Sequence, residues 1–522
     1  MRYTKRQYHY AIRSCRKNVD AIRANRMAEA LSGNKHRAFW QEVKRFKQSR
    51  NKQPTFVDGV TDAKGISTVF YHKFKNLYTS VGYDQCQLER IRAEIATRVS
   101  SGLKDILDTN KEIVSTSDIC SAIGKLKNNK SDGGNNISTD CLLNATPELH
   151  KLLAILFKCI LVHGYMPAET LLGHMTPIPK CKTVTRFSDK YRAITLSSVI
   201  GKVFDLIILD RERKKSLATS DLQFSYKPSC STTLCTAMLR ETITHFNNSG
   251  SSVYGLFLDA TKAFDRVDFA KLFDTLCSRN MNPIHMRCLL HMYSHQSLCV
   301  RWNGITSDTF LATNGVKQGG ILSPLLFTAY VDGLVEKLQA SGEGCYIGPY
   351  FASFYGYADD VCILAPNLKG LQTLADICVE YAHEHKILFN GSKSQLIKFQ
   401  TGQLQQYSDD EKVLVCGNEV QCKNNVTHLG HTLYSNILKD DTENIIKQMY
   451  RQFNSLRTRF NTALSQVRSE LFTRNCTSFY GIQMCDLGKT QRLHTSYRKC
   501  LRCIWGIFTQ SFSQCNFATI DR

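Results

Sequence analysis

Three aspartates stand where acidic side chains could do chemistry. Asp259 ends the apolar run VYGLFLDA, which predicts a buried strand, an expensive place for a lone carboxylate. Farther along, FYGYADDVCILA predicts a strand, a tight turn and a second strand, with Asp359 and Asp360 at the turn. If the two strands are neighbours, the carboxylates converge on a site suited to Mg²⁺. Either motif alone is more often structural, so their combination carries the prediction.

A glycine pair lies between the acidic motifs, in NGVKQGGILSPLLF. Gly319 and Gly320 predict a loop that another backbone or a base pair approaches closely. The alternative is an ordinary glycine turn before a helix. That alternative accounts for the glycines but not for Gln318 beside them.

The order and spacing of these segments resemble a known enzyme family. FLDATKAFDRV, NGVKQGGILSPLLF, FYGYADD, FNGSKS (389–394) and THLGHTL (427–433) resemble motifs A to E of the reverse transcriptases of non-LTR (LINE-type) retrotransposons, nearest the jockey-like branch. TPIPK (176–180), YRAITL (191–196) and QFSYKPSCST (223–232) are similar to the family's upstream motifs. Three more segments resemble, in turn, the linker, the template-side loop and the thumb of the same family: HRAFWQEVKRFKQSR (36–50), KSDGGNNIS (130–138) and HTSYRKCLRCIWGIF.

The resemblance implies a catalytic centre with two Mg²⁺ ions, for which Mn²⁺ can substitute. Asp259 and Asp359 would bind the metals, and Asp360 would support them. Two such ions about 4 Å apart stabilise the attacking and leaving oxygens of a phosphoryl transfer. Lys393 matches a lysine that gives a proton to the departing pyrophosphate.

Five further residues match substrate-binding positions of the family. Lys180 and Arg192 would grip the incoming triphosphate, for which charge-assisted bonds suit both side chains. Phe264 matches a steric gate that excludes a 2′-hydroxyl. Gln318 and Gly319 match the motif that touches the nascent base pair.

The implied fold is α+β, a right-handed polymerase with a ferredoxin-like palm, fingers and a helical thumb. Short strand-like runs interleaved with amphipathic helices, such as Pro324–Gln339, agree with it. The expected division is a basic helical extension, a segment leading into the fingers, the fingers, the palm and the thumb with its tail (1–55, 56–170, 171–255, 256–440 and 441–522).

The chain is strongly basic, with a formal charge of +22, which favours a polyanionic partner. Residues 1–50 hold 14 Lys or Arg against three Asp or Glu, and predict a phosphate-binding surface. A solvated helix face is the alternative. The partners implied are an RNA template, a DNA primer or nicked target, and dNTPs.

Other sequence features bear on the compartment. No apolar run is long enough to cross a bilayer, and an odd number of scattered cysteines, 21, favours a reducing intracellular location, cytoplasm and nucleus. Cys500 and Cys503 have the spacing of half a zinc site, but no second pair follows, so a thumb helix is the preferred interpretation.

The sequence thus predicts an RNA-directed DNA polymerase that extends a primer 3′-OH with dNTPs on an RNA template. A maturase-like or cellular reverse transcriptase is the rival enzyme, and an inactive relic that only binds RNA is the rival from another class. Relatives of this kind carry an endonuclease before the segment seen here, and we expect none within this chain. Oligomeric state and template preference are not predicted.

Overall fold

The computed structural model describes residues 2–47, 54, 56–82, 84–108, 113–131, 137–180, 186–400, 411–436, 441–477, 482, 485 and 490–506. Two compact units are formed, one by Met1–Lys52 with Gly430–Arg522 and the other by Gln53–Leu429. Among the described residues, no helix is long and apolar enough to cross a membrane.

The helices, in chain order, are α1 (Arg2–Lys17), α2 (Val19–Ser32), α3 (His36–Lys47), α4 (Ala63–Tyr78), α5 (Gln85–Asp108), α6 (Thr116–Gly124), α7 (Thr139–Leu143), α8 (Pro147–His163), α9 (Ala168–Leu171), α10 (Val199–Glu212), α11 (Thr232–Asn248), α12 (Phe269–Ser278), α13 (Pro283–Ser294), α14 (Ser323–Val331), α15 (Gly333–Ala340), α16 (Leu368–Glu384), α17 (Thr442–Arg459), α18 (Ser465–Cys476) and α19 (Thr490–Trp505). The strands are β1 (Gly173–Pro179), β2 (Tyr191–Leu196), β3 (Val253–Asp259), β4 (Ser297–Trp302), β5 (Ile305–Leu311), β6 (Tyr346–Ile347), β7 (Tyr350–Phe351), β8 (Phe354–Tyr357), β9 (Asp360–Ala365), β10 (Gln395–Phe399), β11 (Lys412–Val415), β12 (Asn418–Lys423), β13 (Asn425–His428) and β14 (His431–Tyr434).

The larger unit contains a six-stranded sheet in the order β11-β12-β10-β3-β9-β8. Strands β10, β3, β9 and β8 are antiparallel neighbours, and α16 connects β9 to β10. Across the sheet from β10 to β8, these four strands are the fourth, first, third and second along the chain, which is the strand order of a ferredoxin-like sheet. All residues of β3 except the last are buried, because the strand has a neighbour on each edge and helices α11 and α16 pack against it. The predicted ferredoxin-like palm and α+β class are confirmed.

A second sheet in the same unit has the order β2-β1-β4-β5. Helix α4 packs on this sheet, where the buried ring of Phe70 contacts Tyr191 and Trp302. Strands β4 and β5 come from the stretch predicted as palm, 256–440, so that stretch also supplies two strands to the sheet that holds β1 and β2.

One local expectation is refined by the structure, and another falls partly outside the described residues. The predicted helix Pro324–Gln339 is two helices, α14 and α15, which meet at Asp332. The Asp332 carboxylate accepts hydrogen bonds from the backbone N–H of Ser220 and from Arg279, so the junction is tied to neighbouring segments. The middle of the KSDGGNNIS loop, 132–136, lies outside the described residues.

The smaller unit is helical and joins the two ends of the chain. Met27 of α2 and Phe39 of α3 are buried in one hydrophobic core with residues of α17, α18 and α19. The sequence-based division placed 1–55 and 441–522 in separate segments, whereas the structure gives them a common core. Cys500 and Cys503 both lie on α19, as the helix interpretation predicts, with Cys500 buried in this core and Cys503 exposed.

Candidate active site

The three predicted acidic residues lie at one end of the six-stranded sheet. Asp259 is the last residue of β3 and Asp360 is the first of β9, and the antiparallel register places them directly opposite each other. Asp359 is in the two-residue turn between β8 and β9, since Tyr357 pairs with Asp360. The structure therefore brings together the two motifs that the sequence suggested should converge.

The electrostatics of the turn reflect this crowding of acids. Burial raises the pKa of Asp359, the charge of Asp259 raises it further, and the charge of Arg192 lowers it. Loss of hydration, followed by the charges of Asp359 and Asp259, raises the pKa of Asp360 to about 6. Each carboxylate thus carries an unfavourable charge interaction that a cation would relieve.

The donor atoms here suit magnesium, which takes oxygen ligands. Within the described part of the chain, no three or more His, Cys, Asp or Glu side chains are grouped so as to hold a metal ion. Mg²⁺ in polymerase-type sites is commonly held by one or two carboxylates together with substrate phosphates. Asp259 and Asp359 therefore fit a site that substrate would complete, and do not form a preassembled protein cage.

The turn that carries Asp359 is held by a buried glutamine. Ala358, the first turn residue, has a left-handed backbone (φ 59°), which side-chain-bearing residues rarely adopt. Gln223 is 1% exposed, and its Oε1 accepts a hydrogen bond from the Ala358 N–H at 3.0 Å. Backbone bonds between Phe224 and Gly356 and between Gly356 and Leu222 pair the two segments. The strained turn is therefore fixed from outside the hairpin.

Basic side chains from separate segments lie near these acids. Lys180 follows β1 and Arg192 lies on β2, where it faces Ile178 across the strand pair. Loss of hydration lowers the pKa of Lys180, and the charges of Lys262, Arg192 and Lys393 lower it further. Such mutual repulsion requires the cations to be close to one another, so the fold gathers positive charge beside the acidic turn.

The loop carrying Lys393 is bonded directly to the strand that carries Asp259. The Asn390 N–H donates to the Asp259 carbonyl at 2.9 Å, and the Asp259 N–H donates to Ser394 Oγ at 3.3 Å. Lys393 lies between these two contacts, and its side chain is exposed. The loop that carries this lysine is therefore anchored on the backbone of Asp259.

Phe264 lies in a short 3₁₀ turn, Phe264–Arg266, shortly after β3. Its ring stacks on Phe327 of α14 with centroids 4.3 Å apart and planes at 19°. The ring is half-buried, so one side is packed and part remains accessible. A ring held from behind in this way is suited to act as a rigid wall.

Gln318 and Gly319 form a loop docked on β2. The Gln318 carbonyl accepts the Thr195 N–H at 2.7 Å, and its side-chain Nε2 donates to Asp265 at 2.8 Å. Gly319 has φ 103°, and a Cβ there would lie 3.1 Å from the Thr195 carbonyl oxygen. The close approach predicted for the glycine pair is therefore made, at Gly319, by the Thr195 backbone.

Four residues of this site were given no role from the sequence. Lys262 and Asp265 stand inside the quoted segment FLDATKAFDRV, and Gln223 inside QFSYKPSCST, so their positions in motifs were available signals. Tyr78, whose hydroxyl donates to Asp265 at 2.7 Å, has no such signal because its helix is far away in sequence.

Comparison with known proteins identifies the domain. Residues 178–433 match the family described as reverse transcriptase (RNA-dependent DNA polymerase). The Pol polyprotein of the type-2 retrotransposable element R2DM of Drosophila melanogaster is 28% identical over 46% of this chain and 22% of its own length. The probable RNA-directed DNA polymerase from transposon X-element of the same species is 28% identical over 54% and 31%.

Two further similarities are more distant. The RNA-directed DNA polymerase from mobile element jockey of Drosophila melanogaster is 21% identical over 69% of this chain and 40% of its own length. A solved structure of apo telomerase from Candida Tropicalis, truncated from its C-terminal domain, is similar with a TM-score of 0.35 and 15% identity over 55% of this chain and 60% of that chain. The chain spans less than half the length of the curated relatives described here. Through residues 178–433, the chain belongs to the reverse transcriptases of non-LTR retrotransposons.

Proposed function

We propose that this chain is an RNA-directed DNA polymerase, which extends a primer 3′-OH with dNTPs on an RNA template by metal-assisted phosphoryl transfer. The observation that carries the proposal is the pairing of Asp259 with the Asp359–Asp360 turn beside the group of basic side chains. Acids suit divalent cations and the basic group suits a triphosphate, so the two halves match the charges of a metal-bound nucleotide.

The residues would divide the work as follows. Asp259 and Asp359 would hold two Mg²⁺ ions, or Mn²⁺ in their place, with Asp360 in support. When bound, the ions would stabilise the attacking and leaving oxygens. Lys180 and Arg192 would orient the triphosphate, and Lys393 would hold a proton for the departing pyrophosphate. The anchoring of the Lys393 loop to Asp259 supports this last role.

Substrate selection would fall to Phe264, Gln318 and Gly319. Phe264, backed by Phe327, would close the space that a ribose 2′-hydroxyl needs. The loop of Gln318 and Gly319 would meet the nascent base pair, and its docking on β2 supports a fixed position for it. The primer would be DNA, either free or at a nicked target, and work on RNA and chromosomal DNA would place the chain in cytoplasm and nucleus.

A primer-extension assay tests the proposal. The purified chain, an RNA template with an annealed DNA primer, dNTPs and Mg²⁺ should give extended product, and EDTA should abolish it. Ordinary binding of the same RNA with no extension in Mg²⁺ or Mn²⁺ would instead support the RNA-binding relic. A DNA template of the same sequence serves as the comparison for template preference.

A further inference from the structure

One buried carboxylate oxygen joins helix α4 to the loop of Gln318. The Tyr78 hydroxyl donates to Asp265 Oδ1 at 2.7 Å, and Gln318 Nε2 donates to the same oxygen at 2.8 Å. Tyr78 is 0% exposed and Asp265 is 4% exposed. Tyr78 lies outside residues 178–433, so part of this contact comes from beyond the matched family domain.

The two hydrogen bonds determine which way the Gln318 amide points. A carboxylate only accepts hydrogen bonds, so it must face the NH₂ side of the amide, and this fixes the orientation of the whole Gln318 amide. Bonds from two donors to an ionised acceptor are stronger than those between neutral groups. Burial raises the pKa of Asp265 and the hydrogen bonds from Tyr78 and Gln318 oppose this rise, which leaves a pKa of about 6, so the group is ionised at the neutral to basic pH of an assay.

The backbone around these side chains is fixed by further contacts to the end of α4. Asn314 Nδ2 donates to the carbonyls of Leu77 and Asp265 at 3.0 and 2.7 Å, and its Oδ1 accepts the Val81 N–H at 3.1 Å. Asn314 is 0% exposed. The segment leading to Gln318 is thus held independently of the carboxylate, so loss of one side-chain bond need not displace the loop.

We propose that Tyr78 and Asp265 are positioning residues for Gln318, which lock its amide in the one orientation that a nucleotide meets. This inference rests on the proposed function, in which Gln318 contacts the nascent base pair. Tyr78 and Asp265 touch no substrate themselves, and their effect passes through the Gln318 side chain. Asp265 Oδ1 is the shared acceptor, so the orientation should need both an acceptor at position 265 and the Tyr78 hydroxyl that holds this acceptor in place.

The test is a double-mutant cycle on single-nucleotide extension over an RNA template. Tyr78→Phe removes only the hydroxyl and keeps the ring in the core, and it is made both in the wild type and in Gln318→Ala. We expect it to raise KM for the dNTP about fivefold with kcat nearly unchanged in the wild type, and less than about 1.5-fold in the Gln318→Ala background. Tyr71→Phe, on the same helix, is the matched control.

Substitutions of Asp265 provide a second test of the inference. Asp265→Asn keeps an oxygen that can accept from both donors, so its KM should stay within about threefold of the wild type, whereas Asp265→Leu should approach the Gln318→Ala value. Thermal denaturation checks that each variant is folded, and Tyr78→Phe carries the test if Asp265→Leu is not.

The outcomes separate this inference from the proposed function. An equal rise in KM for Tyr78→Phe in both backgrounds would mean a structural role, and no rise in either would mean no role, so both results overturn the inference while leaving the polymerase proposal standing. A wild-type chain that extends no primer overturns the polymerase proposal and this inference together.

Discussion

Asp259 and Asp360 face each other across the antiparallel pair of β3 and β9, although five strands and four α-helices separate them along the chain. The side-chain period of a strand is two residues, so a slip of one residue in this register would move Asp360 to the opposite face of the sheet. The position of the acidic turn therefore depends on strand pairing as well as on the residues in the turn.

Loss of either metal-binding carboxylate should abolish catalysis and spare RNA binding. Asp259→Ala and Asp359→Ala each remove a proposed ligand for the cations but no basic group. We expect primer extension below about one per cent of wild type, a loss of about 3 kcal/mol in transition-state stabilisation, with RNA affinity nearly unchanged. Asp308→Ala, at an exposed acid on β5, is the control and should be active. Clear residual activity in both site variants would contradict the two-metal assignment.

Sugar discrimination should depend on the ring of Phe264. Phe264→Val shortens a side chain that stacks on Phe327, and opens space without removing a hydrogen bond. Because the proposed selection is steric, the ratio of rNTP to dNTP incorporation should rise by at least about tenfold. Single-nucleotide extension with matched rNTP and dNTP pairs measures the ratio, and an unchanged value would remove Phe264 from the gate.

The glutamine that braces the acidic turn should affect turnover more than template binding. Gln223→Met keeps the side-chain length but leaves the buried Ala358 N–H and the Ser225 hydroxyl without their acceptor. We expect kcat to fall about tenfold or more with RNA affinity unchanged, and stability to fall by about 1–3 kcal/mol. Kinetics and urea denaturation check both parts. A variant with normal kcat would show that the turn holds its geometry unaided.

The basic N-terminal residues should be tested by substitution, not by deletion. Deleting 1–50 would remove Met27 and Phe39 from the core of the smaller unit and would confuse unfolding with lost contacts. The exposed residues Arg13, Arg26 and Arg37 can instead be changed to Gln together.

If these three side chains contact phosphates, the slope of log affinity against log salt should become less negative by up to about 2, at roughly 0.7 per contact on a single strand. The matched control is the same change at three exposed cations of the larger unit, Lys64, Arg90 and Lys369. An identical slope for the wild type and the N-terminal variant would favour the solvated-face alternative.

A buried histidine should make stability depend on pH. His385 is 5% exposed and stacks on Tyr381, and burial lowers its pKa to about 4, against about 6.5 in an unfolded chain. Below pH 6.5 His385 binds a proton in the unfolded chain but not in the folded chain, so the free energy of unfolding falls as pH decreases from about 6.5 to 4. Between pH 7 and pH 5 the loss should be about 2 kcal/mol.

Urea unfolding of the wild type and His385→Gln at both pH values isolates this contribution. The variant should lose about 2 kcal/mol less than the wild type over this interval, whereas His383→Gln, at an exposed position two residues earlier, should behave like the wild type. An equal pH response in the wild type and His385→Gln would show that this histidine is protonated in the folded state.

The local structure around the acidic residues was predictable because it depends on short-range sequence patterns. VYGLFL is apolar because β3 lies inside the sheet with α11 and α16 packed against it, and FYGYADDVCILA has two apolar arms because β8 and β9 form a hairpin. The prediction of one helix over Pro324–Gln339 was less accurate. Asp332, where that helix is broken, is bound to Arg279 and to the Ser220 backbone, which are distant in sequence.

By itself the sequence determined the acidic motifs, their strand and turn setting, the glycine loop and the basic character of the chain, because each depends on residues within one segment. Tertiary structure alone decided what approaches those segments. It placed Asp360 opposite Asp259, Gln223 against the Ala358 N–H and Tyr78 on the carboxylate that holds Gln318. It also buried α2 and α3 with the C-terminal helices. These contacts join residues distant in sequence, and burial and hydrogen-bond satisfaction select them only when the whole chain is packed.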